Sequence, residues 1–520
     1  MKVVFRADAS TQLGTGHVIR CLTLALALRE RGAQVDFICR EHAGNLIGFL
    51  REAGMTVAAL PAIRADLPPA ELEAAHAAAA QAEDARLCVQ ALASSRPDWL
   101  VVDHYGLDAS WERQMRPYVG RLLAFEDLAG RHHDCDALLD QNLSERSSNS
   151  FTDYVPAGCR LLISPRYALL RKEYAVRRTS LRARSGRVER VLVFFGGSDP
   201  QNMTGRALEA LASPQWQHLQ VDVVVGPNNP HRQAIEATAL TRSLTTLHGP
   251  LPHLADLMAQ SDLAVGAGGA TTWERMCLGL PSVIVSLAAN QVPGCEALAK
   301  LGLVIYLGDA RSVGVSEFSS ALGQCVRSNQ QMQDMGASGR RLVDGLGALR
   351  VAEFLVPTAA QQLELRPATP ADIEIYFSWA NDPETRRQAI HSEPIAWDMH
   401  QGWFRTKLAS PQSKLLVLQA GGLPVGQIRF DLAGPEARID YSIDPLFRGR
   451  GWAKRLILSG VNWMIARQSA RFVADVKVTN SPSRAAFIRS GFIESGEASD
   501  AGLKRFVLDP VMQGPVSGMC

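Results

Sequence analysis

Short apolar runs rich in β-branched residues recur along the first two-thirds of the chain. They lie at 3–5 (VVF), 35–39 (VDFIC), 99–103 (WLVVD), 121–127 (RLLAFED), 191–197 (VLVFFGG), 220–226 (QVDVVVG), 263–268 (LAVGAG) and 281–287 (PSVIVSL). Unbroken apolar runs predict strands buried on both faces, and the longer helical patterns between them predict crossover helices. The rhythm predicts two parallel sheets with helices on both faces, that is, two Rossmann-like domains facing a cleft. The alanine-rich stretch 68–99 predicts a scaffold helix, with His76 a helix-face residue. One sheet is expected to end near LLISPRY (161–167), and the basic stretch 171–190 reads as a connector. After VPTAAQQ (356–362) the pattern becomes strand, helix, then antiparallel strand candidates at 414–420, 424–432, 437–443 and 471–478. The expected layout is α/β domains over 1–165 and 166–356, a linker at 357–362, and a smaller α+β domain over 363–512.

Composition narrows the function classes. Of 520 residues, 47% are hydrophobic and 20% charged, and the net charge of +2 gives no reason to expect a nucleic-acid partner. Nine cysteines are scattered without CxxC spacing, which predicts reduced thiols and no metal site. No apolar run has the length of a membrane span, and the start lacks a signal-peptide core, so a cytoplasmic protein acting on small molecules is expected.

Two glycine-rich turns follow strand candidates. In STQLGTGHVIRC (10–21), Gly14 and Gly16 precede His17 at the start of a helical pattern. A helix N-terminus offers free N–H groups to an anion and disfavours an imidazolium, so His17 is either a neutral base or a packing residue. In GAGGATT (266–272), Gly268 and Gly269 lead into a helix expected to start near Thr271, suited to a diphosphate, with the Thr271 and Thr272 hydroxyls as donors. Gly196, Gly197 and Ser198 end another strand and can line the same cleft. Asp103 and Tyr105 stand at a strand end; such an Asp is often a cap, which leaves Tyr105 as the better sugar contact.

The residues Arg6, Asp8, Ser10, Gly14, Gly16, His17 and Arg20 resemble the opening of the UDP-sugar hydrolases of pseudaminic acid biosynthesis. Further segments carry the resemblance: 98–108, 124–142, 164–174, 194–204 and 266–291. It covers about residues 1–355 and implies a GT-B-like pair of Rossmann-type domains, similar to MurG, that passes a sugar to water. It implies that His17 is the base and that Arg6, Asp8, Gly14, Gly16, Arg20, Tyr105, Gly197, Ser198, Gly268, Gly269, Thr271, Asn290 and Gln291 contact the UDP-sugar. It also implies that Glu274 accepts from the ribose hydroxyls, although an acid in the first turn of a helix is favoured by the dipole alone. A GT-B transferase with a sugar or lipid acceptor, or a non-catalytic UDP-sugar-binding module, stays open as an alternative.

Near the C-terminus, IDPLFRGRGWAKRLI (443–457) joins a strand to a helix through Arg448, Gly449, Arg450, Gly451, Trp452 and Ala453. Small residues there let a backbone approach a diphosphate. With Asn480 and Ser483 in NSPSRAAFIRSGF (480–492), the segment resembles the GNAT family of N-acetyltransferases, and 390–408 resembles its amino-sugar branch. The resemblance implies acetyl-CoA as co-substrate, held by these residues. Many family members carry a tyrosine where Phe487 stands and use it as an acid; Phe487 cannot serve. Glu393, Asp431 and Asp440 are candidates for activating the amine. Together the two resemblances imply a bifunctional enzyme that acetylates a UDP-amino-sugar and then hydrolyses it.

Overall fold

The apolar runs at 3–5, 35–39 and 99–103 become neighbouring strands of one sheet. The computed structural model describes residues 1–11, 13–62, 75–93, 95–128, 130–143, 148–181, 184–468, 470–497 and 502–509. The chain divides into two units, Met1–Val356 and Pro357–Cys520.

The first unit holds two parallel sheets. β1 (Lys2–Ala7), β2 (Gln34–Arg40), β3 (Thr56–Leu60), β4 (Trp99–Asp103), β5 (Arg121–Phe125), β6 (Ala137–Asp140) and β7 (Arg160–Ile163) run in the order β3-β2-β1-β4-β5-β6-β7. β8 (Arg190–Phe194), β9 (Gln220–Val224), β10 (Thr245–His248), β11 (Leu263–Ala267), β12 (Ser282–Ser286) and β13 (Ile305–Asp309) run in the order β10-β9-β8-β11-β12-β13. These are the two parallel, Rossmann-type sheets that the strand rhythm predicts. β3, β6, β7, β10 and β13 are not among the strands that the apolar runs predict.

Period-2 geometry explains the unbroken apolar runs. Along β8, Val191 and Val193 pack in one core layer with Val221, Val223 and Val265, while Leu192 packs in the opposite layer with Val224, Ala264 and Ile284. Each such fully buried valine, leucine or isoleucine contributes roughly 1.5–3 kcal/mol. In each sheet the chain reverses its direction of progress once, between β1 and β4 and between β8 and β11. Ligands of open α/β sheets bind in the crevice outside the carboxyl ends of strands at such points.

Three expectations need correction. The stretch 171–190 is not a free connector. It forms the helix Lys172–Ser180, and Arg178 donates to the carbonyls of Cys277 at 2.7 Å and Arg340 at 3.0 Å, which ties it to the second sheet's core. Residues up to 356 do not all belong with the second sheet. The helix Gly347–Leu355 returns to the first, where Phe354 meets Trp99 at 5.9 Å and Arg31 donates to the Val356 carbonyl at 3.2 Å. The alanine-rich helix spans Ala75–Leu92; its expected portion before Ala75, the His76 side chain and residues 510–512 lie outside the described residues.

The second unit is one mixed sheet. β14 (Leu363–Pro367), β15 (Ser413–Ala420), β16 (Leu423–Ala433), β17 (Glu436–Ile443), β18 (Arg471–Lys477), β19 (Ile493–Glu497) and β20 (Leu503–Leu508) run in the order β14-β15-β16-β17-β18-β20-β19. The expected antiparallel order fails at one place: β17 and β18 are parallel, because the helix Trp452–Ile465 crosses over between them.

Candidate active site

The loops after β1 and β4 meet at the first reversal point. His17 is the second residue of the helix Gly16–Glu30, one turn ahead of Arg20, so both face Asp103, the last residue of β4. His17 Nδ1 lies 2.6 Å from Asp103 Oδ1. Arg20 donates from Nε to Asp103 Oδ2 at 2.6 Å and from Nη2 to Oδ1 at 2.6 Å. Burial opposes ionisation of Asp103, yet Arg20 and His17 hold its carboxyl well below the usual carboxylate range. An ionised carboxylate only accepts, so Nδ1 carries a ring proton, and in the neutral ring Nε2 is the basic nitrogen. The Tyr105 ring meets the His17 ring edge to face at 4.5 Å. The Tyr105 hydroxyl donates to Asp127 Oδ2 at 3.3 Å, and burial together with Asp127 pushes its pKa up to about 12. Arg20 also donates to Asp127 at 2.7 Å, and Asn142 Nδ2 donates to the other Asp127 oxygen at 3.0 Å.

Arg6 and Asp8, expected as substrate contacts, are elsewhere. Each is 1% exposed, and they form two hydrogen bonds with each other at 2.6 and 2.8 Å. Arg6 also holds Asp84 at 2.7 Å, Arg40 pairs with Asp84, and the Arg40 backbone N–H donates to Asp8 at 2.7 Å. Burial resists these ionisations, but Arg6 and Arg40 keep Asp84 down at about 2. This closed network anchors the end of β1 beneath the loop and leaves neither side chain to a ligand. Within the loop, Gly14 N–H donates to the Ser10 carbonyl at 2.9 Å, closing the turn that leads into Gly16.

The second sheet supplies the facing wall. The loops carrying Gly196–Ser198 and Gly268–Gly269 follow β8 and β11, which flank the second reversal point. A Cβ on Gly268 would come 2.2 Å from Cys295 Sγ, so only glycine lets the backbone pass there. Thr271 begins the helix Thr271–Cys277. Thr272, expected as a ligand donor, is buried, and Arg275 donates to its Oγ1 at 2.9 Å. Glu274 is half-buried beside Arg275 and Arg171, with the Tyr174 hydroxyl bonded to it, and burial pushes its pKa up to about 7. The Gln291 side-chain oxygen accepts from Leu287 N–H at 2.9 Å, which commits that oxygen to bracing its own loop. Asn290 is exposed, and its Nδ2 donates to the Tyr105 hydroxyl at 3.3 Å. The cleft therefore carries His17, Tyr105 and Asn290 in one chain of contacts.

The sequence pattern does not single out Asp127 or Asn142, and it leaves Asp103 as either a cleft residue or a cap. The usable signal was a carboxylate ending or following a strand beside a reversal point. Among the described residues no cluster of His, Cys, Asp or Glu could hold a metal ion, and no helix is long and apolar enough to cross a membrane.

In the second unit, Gly449 and Gly451 have φ of +82° and +77°, and a Cβ on either would meet nothing within 4 Å. Gly451 caps the helix Trp452–Ile465. An exposed backbone in front of a fourteen-residue helix fits the diphosphate of a CoA thioester. The flanking side chains act differently from expectation. Arg448 pairs with Asp382 and donates to Thr385 Oγ1 at 3.0 Å. The Trp452 indole is 3% exposed and packs on Phe447, with Arg450 over both rings at 5.0 and 5.4 Å. Trp452 thus offers a ligand its backbone only. Ala453 lies one residue into the helix. Asn480 Oδ1 accepts from Ser483 N–H at 3.2 Å, capping the helix Ser481–Arg489. Of the candidate carboxylates, Asp431 is spent on Lys407 at 2.7 Å, Ser413 at 2.8 Å and Arg429 at 2.8 Å. Asp440 pairs with Arg429 at 3.3 Å, and Glu393 is exposed.

Residues 362–493 match the acetyltransferase (GNAT) domain family. The chain is 25% identical over 305 residues to the UDP-2,4-diacetamido-2,4,6-trideoxy-beta-L-altropyranose hydrolase of Campylobacter jejuni, covering 58% of this chain and 97% of that one. It is 23% identical over 366 residues to the spore coat polysaccharide biosynthesis protein SpsG of Bacillus subtilis, covering 70% of this chain and all of that one. The crystal structure of Acinetobacter baumannii MurG superposes with a TM-score of 0.48 at 14% identity, covering 68% of this chain and 99% of that one. The chain is thus similar to the altropyranose hydrolase over 58% of its length, and its residues 362–493 match the GNAT domain family.

Proposed function

We propose that Met1–Val356 hydrolyses UDP-2,4-diacetamido-2,4,6-trideoxy-beta-L-altropyranose, and that the C-terminal unit first acetylates the 4-amino group of the preceding UDP-amino-sugar. The observation that carries the hydrolase reading is the His17–Asp103 pair at 2.6 Å, at the mouth of a reversal-point crevice. Ionised Asp103 holds the ring proton on Nδ1, so Nε2 takes a proton from water. The water attacks the anomeric carbon on the side opposite UDP, which inverts that centre. General-base assistance of this kind contributes about 100- to 10,000-fold. Tyr105 and Asn290 flank the sugar, with Arg20 and Asp127 holding Tyr105 and Asp103 in place. The backbone of Gly197–Ser198 and Gly268–Thr271 receives the diphosphate, and Glu274 accepts from the ribose hydroxyls. The similarity to a UDP-sugar hydrolase and to a polysaccharide biosynthesis protein supports a role in sugar biosynthesis.

In the C-terminal unit, acetyl-CoA supplies the activated acetyl group. Gly449 and Gly451 admit its diphosphate, and the amine must arrive uncharged to attack. Asp440, held in place by Arg429, takes the amine proton.

The test supplies UDP-4-amino-4,6-dideoxy-N-acetyl-β-L-altrosamine with and without acetyl-CoA, and follows free CoA and UDP. UDP release that requires acetyl-CoA, with matching CoA release, is expected. CoA release without UDP would overturn the hydrolase reading and favour a glycosyltransferase that awaits a sugar or lipid acceptor.

A further inference from the structure

Acetyl transfer from a thioester to an amine breaks a C–S bond and leaves the electron pair on sulfur, which needs a proton. Phe487 has none to give and is buried against Phe492 and Phe506, with ring centroids at 5.0 and 5.9 Å. A water or another side chain must supply it.

The sheet opens at this place. β17 and β18 pair only at Glu436–Arg471, Ala437–Phe472 and Arg438–Val473. Beyond that, β17 continues against β16 as far as Ile443, and β18 continues against β20 as far as Lys477. The two strands therefore part toward their carboxyl ends, on the side where β17 runs into the 448–453 loop. A wedge between parting strands, ending at a backbone suited to a diphosphate, is the path open to an extended thioester arm.

Tyr441 stands on β17 in this parted stretch. Its hydroxyl donates to Ser483 Oγ at 3.2 Å, so the phenol spans from the strand to the first turn of the helix Ser481–Arg489. Its ring meets Phe487 edge to face at 5.6 Å, which puts a phenol proton next to the ring that lacks one. The unit's other tyrosine, Tyr376, is buried and donates to the Leu416 carbonyl at 3.0 Å. Burial pushes the Tyr441 pKa up, with Asp440 and Arg489 the charged groups that act on it, so the phenol is protonated when a proton is needed.

From this placement we infer that Tyr441 is the general acid of acetyl transfer and protonates the departing CoA sulfur. The inference rests on the acetyltransferase reading above. The amine lone pair forms the C–N bond as the C–S bond breaks, and the sulfur takes the electron pair and the phenol proton. The phenolate regains a proton through the Ser483 hydroxyl, balancing the one that the amine nitrogen sheds.

The test compares the full chain with Tyr441→Phe in two measurements. One is steady-state acetyl transfer. The other is the pH titration of the thiolate absorbance of bound CoA, with desulfo-CoA as blank. In Y441F, kcat is expected to fall about 100-fold while KM for acetyl-CoA stays within about twofold. The bound thiol should titrate at higher pH in Y441F than in the unaltered chain, because a phenol donor stabilises thiolate. An unchanged thiol titration overturns the inference, whether or not kcat falls, since a fall alone then reports packing. If the unaltered chain acetylates no amine, the acetyltransferase reading fails on its own, and the thiol titration still decides the contact. Should Y441F not fold, 3-fluorotyrosine placed at 441 gives a fluorine signal that must shift with CoA and not with desulfo-CoA.

Discussion

His17 and Asp103, 86 residues apart in the chain, share a 2.6 Å hydrogen bond that fixes which ring nitrogen is basic. Asp103 can do this only while ionised, and Arg20 keeps it so with two bonds of 2.6 Å. His17→Ala should lower UDP release from the UDP-sugar about 100- to 10,000-fold and leave UDP affinity unchanged. Asp103→Asn should lower kcat with little change in KM, because an amide can turn the ring to the wrong tautomer. Stopped assays of UDP release, paired with calorimetric UDP binding, check both. Near-full turnover by either variant would remove the base assignment.

Glu274 gives UDP binding a pH dependence. Burial raises its folded pKa to about 7, so the carboxylate that would accept ribose hydroxyls is lost as pH falls through that value. UDP affinity should weaken from pH 8 to pH 6. Phosphate titration contributes over the same range, so the comparison is with Glu274→Gln. That variant should bind more weakly at pH 8 and show the shallower slope. Identical slopes would place Glu274 outside the ribose site.

His133 makes the first unit sensitive to alkali. Its ring nitrogens lie 2.7 Å from Glu112 and 2.8 Å from Glu126. Burial pulls its pKa down, but the two carboxylates outweigh that and raise it to about 9. A raised pKa means stability that is full below the unfolded value near 6.5 and lost as pH rises through about 9. The loss should be about 3 kcal/mol, read from urea unfolding across that range, and His133→Gln should abolish this dependence.

Gly268→Ala tests the close approach in the diphosphate loop. Its Cβ would fall 2.2 Å from Cys295 Sγ. Overpacking of this kind costs about 1–3 kcal/mol and should also weaken UDP binding. Adding Cys295→Ala should restore much of the stability in chemical denaturation. A single variant as stable as the parent would contradict the packing described.

Much of this protein is written locally. The apolar runs encode strands buried on two faces, since period-2 geometry sends alternate side chains such as Val191 and Leu192 to opposite layers. The glycine turns mark where strands end and helices begin, so His17, Gly268 and Gly451 were legible as sites of backbone exposure. Local pattern could not say which charges would meet. Arg6 and Asp8 read as ligand contacts, yet the fold brings Asp84 and Arg40 to them and buries all four. Sequence leaves Asp103 as a cap or a cleft residue, and the fold decides by bringing His17 and Arg20 to its carboxylate. Asn290 reaches Tyr105 across 185 residues of chain, and Tyr441 meets Ser483 across 42, because the sheets decide those meetings. Hydrophobic periodicity depends on neighbours in sequence, whereas the ionisation and tautomer of a site depend on desolvation and partners that only the tertiary structure supplies.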